Sequence, residues 1–124
     1  MTFSILARDP ESGEMGYAAA TGNLAVGAWV LRANPAAGLV ATQGYSVSSL
    51  WGDEGLNALA AGESAPDIVT RLVQGDAGAD YRQLLVLDMM GTGGAWTGSA
   101  NTVSYSRVNL CNFRWALSAD SRRA

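Results

Sequence analysis

The chain has 124 residues, and eight basic side chains against eleven acidic ones leave a net charge of −3 with no histidine. Every basic residue is arginine, which excludes imidazole-dependent dyads and triads, His-ligated zinc, Schiff-base lysines and the P-loop lysine; the one amine left is at the N-terminus. A hydrophobic share of 48% with 15% charged residues fits one folded domain, and an isoelectric point near 4.7 disfavours nucleic acid, whose phosphates need clustered cations.

The first ten residues lack a basic n-region and break into charge and proline before an apolar segment forms, so no leader is expected. Residues 2–7 and 15–21 are apolar segments around Asp9-Pro10-Glu11-Ser12-Gly13-Glu14, a hairpin signal. Ala28 to Leu31 and Gly38 to Thr42 read as two further short strands separated by Asn34-Pro35, and the four early strands are expected to share a sheet. From Ser46 to Ala61 the period becomes helical through Leu50, Trp51, Leu56, Leu59 and Ala60, with Gly62 where a C′ glycine belongs. A second helix starts at the N-cap Ser64, carries Pro66 and Asp67 in its first turn, and buries Ile68, Val69, Leu72 and Val73. Tyr81 to Met90 is a strand, Gly91 to Gly94 a turn, and Ala95-Trp96-Thr97 begins the returning strand. Strands, two helices, then strands define an α+β protein.

The texture changes towards the C-terminus. Residues 1–106 hold four Arg against ten acids, whereas residues 107–124 hold Arg107, Arg114, Arg122 and Arg123 against Asp120 alone. The chain therefore divides into a domain over 1–106 and an Arg-rich tail over 107–124, expected to be frayed or atypical. No apolar run is long enough to span a bilayer, and the single Cys111 cannot close an intramolecular disulfide, so a soluble, cytoplasmic protein without a membrane partner is expected.

Most apparent motifs have plain structural readings. Gly91-Thr92-Gly93-Gly94 is no phosphate cradle, because Trp96 stands where G-x-G-x-x-G needs its last glycine and no helix start follows. Asp53-Glu54 reads better as helix N-terminal acids than as half of a glycosidase pair, and Trp51, Trp96 and Trp115 better as core or core rim than as pocket lining. Cys111 reads as a small half-buried hydrophobe. Nothing points to a metal or an organic cofactor, and none is expected. Thr2 differs: removal of Met1, expected before a small second residue, leaves a threonine with a free α-amine of pKa about 7.7–8.0, close enough to neutrality to deprotonate its own hydroxyl.

The run Thr2 to Glu14, then Ala25-Val26-Gly27-Ala28 and Gly38-Leu39-Val40-Ala41-Thr42-Gln43, resembles domain-of-unknown-function family 1028 (DUF1028). Gly55-Leu56, Leu59-Ala60-Ala61-Gly62, Ser64-Ala65, Tyr81-Arg82-Gln83-Leu84 and Trp96-Thr97-Gly98 extend the likeness in the same order over roughly residues 1–99. That family resembles the N-terminal-nucleophile (Ntn) hydrolases, which implies an αββα sandwich with the nucleophile at the start of the first strand.

Position by position, the resemblance makes Thr2 the nucleophile and sets the hairpin strand Gly16 to Thr21 beside it. Gly44 becomes the oxyanion-hole glycine, Thr21 and Asn23 the groups that polarise the terminal amine, and Arg32 the cation that relatives supply as lysine. The implied activity is amide hydrolysis of a small-molecule or peptide substrate; the alternatives are a non-catalytic binding or scaffold protein, or a remnant of the family. Relatives carry Gly-His near Ser106-Arg107 and continue further, so the sandwich is expected to be incomplete at its C-terminal end. Its open sheet edges are then expected to be covered by a partner, as in a homo-oligomer.

Overall fold

The computed structural model describes residues 2–101, together with the backbone of strands at 106–110 and 113–120. In chain order the elements are β1 (Thr2–Arg8), β2 (Met15–Thr21), α1 (Val26–Val30), β3 (Leu31–Asn34), β4 (Gly38–Gly44), α2 (Ser49–Ala60) and α3 (Ala65–Gln74). A 3-10 turn (Ala79–Tyr81) leads into β5 (Arg82–Asp88), β6 (Gly93–Thr97), β7 (Ser106–Leu110) and β8 (Phe113–Asp120). The protein is α+β, with two four-stranded antiparallel sheets ordered β2-β1-β8-β7 and β3-β4-β5-β6.

The first hairpin forms as expected. The Asp9 carboxylate accepts from the Glu11 N–H and the Ser12 hydroxyl at 2.9 Å each, and Gly13 takes φ +76° to close the turn. Those two donors, the Glu11 N–H first, hold the Asp9 carboxyl below its ordinary pKa. The Gly91 turn is built likewise: Asp88 Oδ1 accepts from the N–H groups of Met90 and Thr92, and Gly91 adopts φ +84°.

Two expectations are corrected. The early strands do not share one sheet: β1 and β2 lie in the first and β3 and β4 in the second. The segment between them carries the chain across. Ala28 to Val30, expected as strand, belongs to α1, and β3 begins only at Leu31. The β-branched Val26 and Val30 suggest a strand locally, but at i and i+4 they share one helical face and pack into the core between the sheets. Residues 107–110 and 113–120, in the stretch expected to be frayed or atypical, lie in β7 and β8, and β8 pairs with every residue of β1.

Strand alternation divides the second sheet between two cores. Val40, Leu84 and Val86 point to the helices and meet Trp51, Leu59, Ile68 and Leu72. Leu39, Ala41, Leu85 and Leu87 point the other way and meet Leu6, Val30 and Leu31. All seven residues of β4 are buried because both faces are covered. Each fully buried Leu, Ile or Val contributes about 1.5–3 kcal/mol relative to an exposed one.

Ser64 and Gly62 sit at helix ends as the sequence indicates: Ser64 accepts from the Asp67 N–H, and Gly62 follows α2 at φ +87°. The start of α2 lies at Ser49, later than the expected Ser46, and its N-cap Ser48 accepts from the Trp51 N–H. Asp53 and Glu54 lie beyond the first turn of α2, and Asp53 pairs with Arg32, so their expected role at the helix N-terminus is not the observed one. Only the second sheet is covered by α2 and α3; on the outward face of the first, Phe3, Gly16, Ala18 and Ala20 are exposed. Among the described residues no helix is long and apolar enough to cross a membrane, and no three His, Cys, Asp or Glu residues gather to hold a metal ion. Cys111 and the side chain of Trp115 lie outside the described residues.

Candidate functional site

Thr2 opens β1 with its side chain on the face turned towards the second sheet. The register sets Thr21 directly opposite on β2, so both hydroxyls occupy the same face and approach to 2.8 Å. Thr21 Oγ1 also accepts from the Asn23 N–H at 3.3 Å, which turns the chain after β2 back over the start of β1.

Gln43, the penultimate residue of β4, joins the two sheets at this point. Its side-chain amide donates to the Thr2 carbonyl and to Gln83 Oε1, both at 3.1 Å, and its Oε1 accepts from the Ser4 hydroxyl at 2.7 Å. Gln83 faces Gln43 in register on β5 and donates to Thr97 Oγ1 on β6 at 3.2 Å. Ser4, Gln43 and Gln83 are at most 2% exposed, so this polar row lies inside the protein with its bonds made. Neither Gln43 nor Gln83 is marked as a site member by any motif in the sequence. Their signal is positional: Gln43 and Gln83 continue the inward-facing rows Leu39, Ala41 and Leu85, Leu87, where a polar side chain must find partners.

A cleft of about 330 Å³ opens beside Thr2. Thr2, Asn23, Gln43 and Gly44 supply its polar lining, and Leu24, Val26, Trp29, Val30 and Val47 the rest. Gly44 has φ +121°, and a Cβ there meets the Tyr81 carbonyl oxygen at 2.7 Å and Arg82 Cα at 3.0 Å. The backbone can take this path beside the cleft only with glycine.

Four of the five residues singled out from the sequence therefore converge: Thr2, Asn23 and Gly44 line the cleft, and Thr21 bonds Thr2. Arg32 does not join them. It sits on β3 next to the inward Leu31, so alternation turns it to the helix side. There its Nε donates to Asp53 Oδ1 at 2.8 Å and its Nη1 to the carbonyls of Ala28 and Leu31.

A larger cleft of about 460 Å³ lies on the helix side, and both arginines that line it are already paired. Arg82 donates from Nε to Asp76 Oδ2 at 2.7 Å and lies over the Trp51 ring at 5.8 Å, while Arg71 grips Glu63 with two hydrogen bonds. The Arg82 guanidinium holds the Asp76 carboxyl below its ordinary range. The Arg82 contacts tie α2 and the end of α3 to the head of β5, and the Arg71–Glu63 pair ties α3 to the α2–α3 connection.

Two antiparallel sheets with helices on one of them, and a threonine heading the first strand beside a cleft, define the class of molecule. Residues 2–113 match the family described as "Family of unknown function (DUF1028)", and the chain belongs to it. The match runs past residue 99, where the resemblance read from the sequence ends. The crystal structure of protein SPO2555 from Silicibacter pomeroyi, of the same family, is similar with a TM-score of 0.83 and 44% identity over 93% of this chain. The chain spans 53% of that protein's length. Curated proteins offer no match.

Proposed function

We propose that the chain is an Ntn-hydrolase-like amidohydrolase whose nucleophile is the hydroxyl of Thr2, made N-terminal by removal of Met1. The observation that carries this reading is the position of Thr2: first in β1, open to a cleft, its hydroxyl 2.8 Å from that of Thr21 and its carbonyl held by the buried Gln43. A nucleophile acts from a fixed geometry, and both bonds restrict Thr2 before any substrate arrives.

The α-amine, neutral in a large fraction of molecules near pH 8, takes the hydroxyl proton as Oγ1 attacks the amide carbonyl. The C–O bond forms and the carbonyl oxygen becomes an oxyanion, with the Gly44 backbone N–H as its proposed donor, worth roughly 3–4 kcal/mol of barrier. Collapse breaks the C–N bond, and the leaving amine takes the proton from the α-ammonium. Water then adds to the Thr2 ester with the same amine as base, giving the acid and free enzyme. Thr21 orients the hydroxyl, and Asn23 offers an exposed amide to the substrate. Arg32 has no part in the scheme, because Asp53 and two carbonyls engage it on the far face of β3.

The test has two stages. Intact mass of the purified protein should lack Met1, and a β-lactone probe should then add one equivalent to the wild type, none to Thr2→Ala and one, at altered rate, to Thr2→Ser. Retention of Met1, or equal labelling of Thr2→Ala, would exclude the mechanism and leave the alternative of a binding or scaffold protein.

A further inference from the structure

We infer that the Thr2 cleft selects amides whose acyl group is uncharged, apolar and several carbons long, an assignment that rests on the reading of Thr2 as nucleophile. The first argument is charge. Among the described residues no side chain lining the cleft is ionisable, the α-amine of Thr2 acts in its neutral form, and the guanidinium on the adjoining α1–β3 segment, Arg32, is turned to the other face of its sheet and held by Asp53. A substrate carboxylate or phosphate entering here loses water and gains no side-chain cation among the described residues, and one that pairs with the α-ammonium of Thr2 holds the base in its protonated, inactive form.

The second argument concerns the polar capacity that remains. Both N–H donors of the Gln43 amide are engaged, one by the Thr2 carbonyl and one by Gln83. Among the side chains lining the cleft, that leaves the Asn23 amide, which is exposed, and the Thr2 hydroxyl itself. Those groups suit one neutral amide linkage.

The third is the rim. Leu24 is 94% exposed, Trp29 65% and Val47 43%, three large apolar side chains around one cleft, with Val26 and Val30 beneath them. Helix α1 arranges this directly: Val26 and Val30 face the core between the sheets, while Trp29 stays at the surface. An exposed indole beside a nucleophile is a wall against which an alkyl chain can lie, gaining roughly fourfold in affinity for each methylene fully buried.

The inference is tested with the full-length Thr2→Ala protein, so that binding is read without turnover. Isothermal titration compares three amides of alaninamide: N-acetyl, N-hexanoyl, and N-adipoyl with its terminal carboxylate. The hexanoyl amide is expected to bind at least tenfold tighter than either other ligand, and Trp29→Ser in the same background, with an unchanged melting temperature, to lose at least fivefold of that affinity. Affinities within a factor of two of one another, the adipoyl amide binding tightest, or no hexanoyl binding at millimolar concentration each overturn it. Failure of the underlying reading registers elsewhere, as wild-type protein that forms no adduct at Thr2, because the Thr2→Ala titration requires no chemistry.

Discussion

Gln43 contributes to the candidate site through three hydrogen bonds that a leucine of similar size cannot make. Replacing it leaves the buried Ser4 hydroxyl without its acceptor, removes one donor from Gln83 and frees the Thr2 carbonyl. Each buried group left unpaired costs about 1–3 kcal/mol, so Gln43→Leu is expected to lower stability by roughly 2–4 kcal/mol in thermal or urea unfolding, whereas Thr2→Ala, at a half-buried position, costs about 1 kcal/mol or less. Gly44→Ala introduces a Cβ against the Tyr81 carbonyl at a φ of +121°, and a loss of at least about 2 kcal/mol is expected from strain and displacement together. At this scale the sequence was informative where the chemistry was unusual. Thr2 stood out because it can become the one amine-bearing residue in a chain without lysine. Gln43 did not, because one glutamine after an apolar run looks the same whether it crosses to another sheet or meets solvent.

Among the elements, α2, α3 and the outer hairpins were legible, and the crossing between sheets, which contains α1, was not. Ser64 and Gly62 mark helix ends through bonds made within a few residues, so local sequence suffices. Val26 to Val30 forms a helix because its two valines reach a core assembled from β1, β3 and β4, a long-range cause that residue preferences do not carry. Two predictions belong here. Ile68 on α3 and Leu84 on β5 are fully buried where the helices meet the second sheet, so Ile68→Ala or Leu84→Ala should each cost about 2–5 kcal/mol in urea unfolding. The Asp76–Arg82 pair fixes the α3–β5 connection and predicts a pH dependence. Because the Asp76 carboxyl titrates lower in the folded protein than its ordinary value of 3.8, its stabilisation is fully present above that value and is lost as pH falls through the lowered one. Asp76→Asn should therefore unfold about 1 kcal/mol more easily from pH 5 to 8, with the gap closing in acid below about pH 4 and shrinking at high salt.

On the scale of the molecule, two cores share one central sheet, and that arrangement creates the site. β4 is covered on both faces, which fixes Gln43 towards β1 and sends Arg32, on the neighbouring strand, towards α2. Hydropathy locates each strand but is silent on which sheet it joins, since β1 and β4 alternate alike whether they lie side by side or face to face. The family resemblance carried the expectation of two sheets, and with it the convergence of Thr2, Thr21, Asn23 and Gly44, which composition and spacing do not predict. Arg32 shows the limit of transferring roles along a chain, because one step along a strand moves a side chain to the opposite face. The measurement that bears most directly on the central claim is peptide mapping of the β-lactone-treated wild-type protein. The account predicts a single acyl adduct on the hydroxyl of an N-terminal Thr2. An adduct on Cys111 or another side chain, with Thr2 unmodified, would contradict it.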